Sequence, residues 1–282
     1  MGTRLTVPAV RTRKARAGSE PLVMVTAYDA PGARLADAAG VDMLLVGDSL
    51  AMVVLGYPDT LSVTVEDMVH HTAAVARAEP DALIVADLPW LSYHVSPQDT
   101  ICNAARLIRA GAQAVKLEGG TGRVPMIEAL VGAEIPVMGH VGLTPQSVHA
   151  LGGFQVQGRT AEAAIQLVES AKALEHAGCF AVVLEGVPAD VAGMVTEAVG
   201  VPTVGIGAGP DCDGQVLVYH DLLGLQDDLR PRFVRRYADL GDATVEALGR
   251  FAADVRSGRF PSSQESYSLN STEAAALGLY AS

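Results

Sequence analysis

Five positions in the sequence set ionisable residues at the ends of short apolar runs. Asp48 follows Met43–Gly47, and Asp87 follows Leu83–Ala86. Glu118 follows Ala114–Leu117, with Lys116 inside that run. His140 follows Val137–Gly139, and Glu185 follows Ala181–Leu184. One acid after a strand is explained well enough as the cap of the next helix. Five such positions together point to chemistry. Carboxylates crowded where the dielectric is low either take up protons or bind a cation. Oxygen donors, with His140 the lone imidazole and no cysteine nearby, suit a hard ion such as Mg2+ rather than structural Zn2+. Such an ion takes one or two carboxylates, keeps waters and lets substrate oxygens complete its shell. An α-keto acid offers two oxygens in one chelate, which polarises its carbonyl and stabilises an enolate after proton loss. A carboxylate off the metal then serves as base, and Lys116 balances the substrate carboxylate.

The elements that must hold these residues follow from the same runs. With Leu22–Thr26, Thr203–Ile206 and Val216–Val218 there are eight, each apolar on both faces, as parallel strands covered by helices are. Amphipathic segments alternate with them. The clearest is Thr160–His176, with Thr160 at the N-cap, Leu167, Ala171 and Leu174 on one face, and Gly178 as terminator. Eight strands with intervening helices predict an α/β fold, a single (β/α)8 TIM barrel over residues 21–260 with additional terminal helices. In such a barrel the strand-end residues ring the C-terminal mouth, where barrel enzymes place their chemistry. Residues 1–20 read as a lead-in and 261–282 as a mobile, Ser-rich tail. Long excursions are expected at 49–65 and 141–159. Residues 229–257 read as helix, with Phe233, Tyr237, Leu240, Leu248, Phe251 and Val255 forming an apolar face.

Composition narrows the class. The chain has 282 residues, 49% of them hydrophobic but only 5% aromatic, so its core is built from Val, Leu, Ala and Ile. A net charge of −12 argues against a nucleic-acid surface, since no basic stripe survives beyond Arg4, Arg11, Arg13, Lys14 and Arg16. That stretch lacks the apolar segment of a targeting peptide and reads as solvated. Met1-Gly2 with Thr6 fits a myristoylation pattern only formally. Three scattered cysteines without a CxxC point to a reducing compartment, with Cys179 as buried filler. No apolar run approaches membrane-spanning length.

Other motifs are weaker. Gly205-Ile-Gly-Ala-Gly-Pro210 has the wrong glycine spacing for a dinucleotide loop and reads as a turn after the seventh strand. His70 and His71 are adjacent on a helix, about 100° apart, and cannot chelate together. His94, His149, His176 and His220 have no evident partner. Trp90 reads as packing at the mouth.

Several segments in order resemble the ketopantoate hydroxymethyltransferase family. They are Thr26-Ala-Tyr-Asp29, Val46-Gly-Asp-Ser49, Ala86-Asp-Leu-Pro89, Val115-Lys-Leu-Glu-Gly119, Gly139-His-Val-Gly-Leu-Thr-Pro-Gln-Ser147, Gly152-Gly-Phe-Gln-Val-Gln-Gly-Arg159, Val183-Leu-Glu185 and Gly205-Ile-Gly-Ala-Gly209. The resemblance spans roughly residues 20–260. It implies transfer of a one-carbon unit from 5,10-methylenetetrahydrofolate to 3-methyl-2-oxobutanoate, giving 2-dehydropantoate for pantothenate synthesis. It further implies Asp48 and Asp87 as metal ligands and Glu118 as the acid beside the metal. Asp48, Ser49, Asp87 and Lys116 would hold the keto acid, with Glu185 as proton acceptor and His140 as a site residue of unassigned role. A cytoplasmic homo-oligomer, in many members a decamer, is also implied. Two features depart from the family. Phe260-Pro-Ser-Ser-Gln-Glu-Ser-Tyr267 carries Gln264 and Glu265 where the family has Glu and His. Gly186 is small beside the expected base, which would leave room for a different keto-acid side chain. Two other readings stay open: a metal-dependent aldolase or lyase for a related keto acid, and a barrel that binds keto acid without turnover.

Overall fold

The computed structural model describes residues 4–14, 18–226 and 231–279. Eight parallel strands close in sequence order: β1 (Leu22–Thr26), β2 (Met43–Val46), β3 (Leu83–Asp87), β4 (Ala114–Glu118), β5 (Val137–Gly142), β6 (Ala181–Glu185), β7 (Thr203–Ile206) and β8 (Gly214–Leu217). The predicted (β/α)8 barrel is the observed fold. Strand ends shift by a few residues. Asp87, Glu118 and Glu185 are the last residues of their strands and His140 lies within β5, rather than following them, because their side chains continue the inward alternation. β8 begins two residues before the expected Val216.

Helix α1 (Val7–Arg11) precedes the barrel. The crossovers carry α2 (Ala30–Ala38), α3 (Leu50–Val53) with α4 (Val65–Ala76), α5 (Pro97–Ala110), α6 (Val124–Gly132), α7 (Val148–Leu151) with α8 (Ala161–His176), and α9 (Ala189–Ala198). After β8 come α10 (Tyr219–Leu223), α11 (Leu240–Arg256) and α12 (Ser271–Ala276). The link between β7 and β8 holds a turn and no helix, a departure from strict alternation. The helix starts are written in short polar side chains: Asp29, Thr64, Ser96 and Thr160 each accept a backbone N–H of the first turn. None of Asp48, Asp87, Glu118 or Glu185 stands at an N-cap position, so helix capping does not account for them. On α8 the expected face is seen, with Ala171 and Leu174 fully buried and Leu167 packed beside them.

The core has two layers. Met24, Met43, Leu83, Val85, Met138, Val183, Val204 and Val216 fill the barrel interior, and a larger cluster including Leu44, Ile84, Leu107, Leu130 and Leu174 lies between strands and helices. The lead-in is not a solvated arm over residues 7–14. Val10 joins the interior cluster from below, and Lys14 Nζ bonds Thr196 O, Val201 O and Asp213 Oδ2 at 2.9, 3.2 and 2.8 Å. Arg13 pairs with Asp42 at 2.6 Å. Burying Val10 in the barrel floor outweighs the solvation of these cations. Arg16 and the Met1-Gly2 pattern lie outside the described residues.

The helix expected over 229–257 is shorter. Residues 231–239 run as irregular chain after Pro231, so Phe233 and Tyr237 are not on the helix face, and residues 229–230 lie outside the described chain. Leu248, Phe251 and Val255 on α11 stay about half or more exposed. The serine-rich tail carries α12, capped by Asn270. In the altered terminal motif, Glu265 accepts from the N–H and hydroxyl of Ser262, both at 2.8 Å. No described helix is long and apolar enough to cross a membrane.

Candidate active site

Parallel register assembles the site. Asp87 on β3 pairs with Lys116 on β4, and Glu118 on β4 pairs with His140 on β5. Lys116 and Glu118 are two residues apart, so both point into the barrel. Asp48, just past β2, donates its N–H to Asp87 Oδ2 at 3.1 Å. Glu185 at the end of β6 lies one strand further on, opposite Gly142. All the ionisable residues anticipated at the mouth therefore converge.

Asp48, Asp87, Lys116, Glu118 and His140 are all buried. Three carboxylates thus face one ammonium and one imidazole in a dry pocket. Lys116 Nζ lies 2.8 Å from Asp87 Oδ1 but outside hydrogen-bond alignment, so this oxygen has no hydrogen-bond partner. Burial pushes Asp48 well above the usual carboxylate range, and the charges of Asp87 and Glu118 add to it. Burial also raises Asp87, only partly offset by Lys116. Burial alone would depress Lys116, yet Asp87, Glu118 and Asp48 together hold it above its ordinary value. The pair is pulled both ways; with three acids around one amine, the charged lysine is the firm member. Burial would raise Glu118 too, but His140, Lys116 and the Gln146 N–H hold it below its ordinary value. Asp48 and Asp87, raised chiefly by burial, are left short of positive charge, a condition a divalent ion would relieve.

His140 sits between two acids. Its Nδ1 is 3.4 Å from Glu118 Oε1 and 3.4 Å from Lys116 Nζ, and its Nε2 is 3.3 Å from Glu185 Oε2 without hydrogen-bond alignment. Burial and the Lys116 charge pull His140 down, but the flanking carboxylates outweigh them and raise it to about 9. Glu185 is the outermost acid, its side chain 17% exposed against 3% for Glu118. Ser49 Oγ lies 2.9 Å from Tyr28 Oη, and burial keeps that phenol protonated.

Among the described residues no three His, Cys, Asp or Glu side chains form a preformed metal cage. The donors instead fit an ion that takes one or two carboxylates and completes its shell with water and substrate oxygens. Asp87 Oδ1, ion-paired with Lys116 but without an aligned hydrogen bond, is such a donor.

Two residues of the site were not singled out from the sequence, although one, Gln146, lies in the Gly139–Ser147 segment that carries the resemblance. Gln146, buried beyond β5, donates from Nε2 to Asp48 Oδ2 at 2.8 Å and to Leu88 O at 2.9 Å, and its N–H reaches Glu118 Oε2 at 3.0 Å. Tyr93 donates its hydroxyl to Gln146 Oε1 at 2.7 Å. Other expectations resolve locally. Gly186 has φ +56°, and a Cβ there would meet Leu143 at 3.1 Å, so its smallness serves the backbone rather than space for substrate. His71 Nδ1 contacts Tyr28 O at 2.7 Å, which makes it a packing residue. Trp90 is 42% exposed rather than packed. Cys179 is buried, and no described cysteine forms a disulfide.

Residues 4–263 match the family model for ketopantoate hydroxymethyltransferase. A 3-methyl-2-oxobutanoate hydroxymethyltransferase of Moorella thermoacetica is 58% identical, covering 94% of this chain and 98% of its own. One from Ignicoccus hospitalis is 61% identical, covering 86% and 92%. Among solved structures, 2,3-dimethylmalate lyase superposes with a TM-score of 0.61 at 20% identity, over 99% of this chain and 96% of that one. Phosphonopyruvate hydrolase gives 0.60 at 16% identity, over 98% and 95%. At such identity these two speak to the fold alone.

Proposed function

The chain belongs to the ketopantoate hydroxymethyltransferase family, and on that premise we propose how its site carries out hydroxymethyl transfer. The acceptor is 3-methyl-2-oxobutanoate, the donor is 5,10-methylenetetrahydrofolate, and the product is 2-dehydropantoate. The observation that carries the proposal is the division of the acids: Asp48, Asp87 and Glu118 buried around Lys116, with Glu185 set apart at the rim.

Asp48 and Asp87 are the residues that would hold Mg2+, with Glu118 beside it. A divalent ion bound there would supply Lewis-acid polarisation of the keto group. Lys116 and the Ser49 hydroxyl orient the keto acid, Lys116 against its carboxylate. Glu185 takes the proton from C3, and His140, 3.3 Å away, holds that carboxylate toward the mouth. Water adds to the methylene carbon of the folate and its two C–N bonds break, releasing tetrahydrofolate and the one-carbon unit at the formaldehyde level. The enolate carbon bonds to that carbon, whose oxygen takes up the proton removed from C3, so keto acid, methylenetetrahydrofolate and water balance product and tetrahydrofolate.

A homo-oligomer in the cytoplasm is part of the same proposal, and two uncovered surfaces support the oligomer. On α11, Leu248, Phe251 and Val255 stay about half or more exposed, although Phe251 meets Phe260 edge-on. Val23 on the outer wall of β1 is 47% exposed, and a cavity of about 610 Å3 lies along β7 and β8 beside Phe233 and Tyr237. A second copy covers both, and a decamer is what the family resemblance implies. The direct test incubates the chain with 3-methyl-2-oxobutanoate, Mg2+ and methylenetetrahydrofolate. A product heavier by one hydroxymethyl group is expected. Turnover with other aldehydes but none with the folate would favour an aldolase instead.

A further inference from the structure

We infer that Gln146 is a positioning residue that aims the carboxylates of Asp48 and Glu118, and that Tyr93 locks it in the orientation required. The inference rests on the proposed ligand role of Asp48 and Glu118. Gln146 is 5% exposed and Tyr93 1%, so neither has water to fall back on. An amide side chain has two donor hydrogens and one acceptor oxygen. Here both donors are used, on Asp48 Oδ2 and on Leu88 O, while the oxygen accepts from Tyr93 Oη. A flipped amide would set its oxygen against a carboxylate and a carbonyl, so only one orientation is stable. Tyr93 Oη in turn accepts the Glu118 N–H at 3.2 Å, and the Gln146 N–H donates to Glu118 Oε2.

These bonds join acids from two strand ends through one neutral residue. Asp48 Oδ2 is held by the amide, which leaves Oδ1 as the oxygen that Gln146 does not engage. Glu118 is gripped at both its backbone and its carboxylate. A cation in place of Gln146 would neutralise the pocket and compete with a metal. The neutral amide orients the acids while leaving their charge available, the division of labour seen between metal ligands and their hydrogen-bonding partners.

The test is Mn2+ titration of the metal-free protein, with the free ion followed by electron paramagnetic resonance. Gln146→Met keeps the length of the side chain and removes its hydrogen bonds. It is expected to weaken Mn2+ binding by about 10- to 100-fold, the range typical for loss of a partner behind a ligand. Tyr93→Phe removes only the lock and is expected to fall between that variant and wild type. Melting of the metal-free proteins, read alongside, separates this from general packing, because a merely structural glutamine lowers the melting temperature and leaves the affinity alone. Affinity within about twofold of wild type in Gln146→Met overturns the inference; so does unchanged affinity in Tyr93→Phe, should the methionine variant not fold. Wild-type protein that binds no Mn2+ would instead sink the ligand assignment, and this inference with it.

Discussion

At the scale of single residues, the site separates charge that is held from charge that moves. Asp87 is held: it faces Lys116 at 2.8 Å with both side chains almost wholly buried. Asp87→Asn should therefore do two things. Metal affinity should fall by more than about 10-fold, since loss even of a partner behind a ligand costs that much. The metal-free protein should keep its stability or gain some, because burial already holds Asp87 above its ordinary range and Asp48 and Glu118 still face Lys116. Isothermal titration with Mg2+ and thermal melting check the two effects, and an unchanged Mg2+ titration would remove Asp87 from the ligand set. His94 gives a pH dependence. Burial, with the Arg123 charge adding to it, lowers His94 to about 4, below the unfolded value near 6.5. The unfolded chain then binds more protons between those values, so the stabilising contribution is present above the unfolded value and is lost as pH falls through the folded one. The slope of melting temperature against pH between about 4 and 6.5 should be smaller in His94→Asn than in wild type. Identical slopes would contradict the assignment.

At the scale of elements, the strands were the legible part. Parallel strands covered on both sides are nearly continuous apolar runs, and all eight appear in the sequence as such. The acids at their ends were legible for the same reason, since a charge that closes an apolar run stands out. Gln146 was not. Its partner Asp48 is 98 residues away, and a bridge between side chains of distant loops leaves no periodic mark. The irregular stretch 231–239 was missed because its apolar residues happen to fall at helical spacing, while Pro231 and the packing of Phe233 against Gly207 decide otherwise. Gly142 shows how tightly the elements constrain the site. Its φ is +101°, and a Cβ there would collide with the backbone oxygen of Glu185. Gly142→Ala is expected to cost more than about 1 kcal/mol, since both the left-handed backbone and the contact oppose it. It should also lower turnover by displacing Glu185. Urea unfolding together with steady-state rates tests this, and a variant with wild-type stability would show that β5 and β6 tolerate separation.

At the scale of the whole molecule, the barrel is closed by its hydrogen bonds, but the described helices leave part of its wall at β7, β8 and β1 uncovered. The link from β7 to β8 has no helix, and α11, the long helix after β8, projects its apolar residues outward. Phe251→Asp, or Leu248→Asp, places a charge on that face without touching the barrel interior. Light scattering after size exclusion should show wild type as an oligomer and these variants as smaller species with lower melting temperatures. Wild type running as a monomer would leave the exposed face to another partner.

The central claim is that buried carboxylates and a bound divalent ion prepare the keto acid for proton loss, and that Glu185 at the rim takes the proton. Exchange of the C3 hydrogen of 3-methyl-2-oxobutanoate in deuterated water, followed by proton NMR without folate, isolates that step. Wild type with Mg2+ should exchange it. Glu185→Gln should slow exchange by about 10²- to 10⁴-fold, the usual worth of a positioned base, while its Mg2+ titration stays as in wild type. Exchange at the wild-type rate in Glu185→Gln would contradict the account.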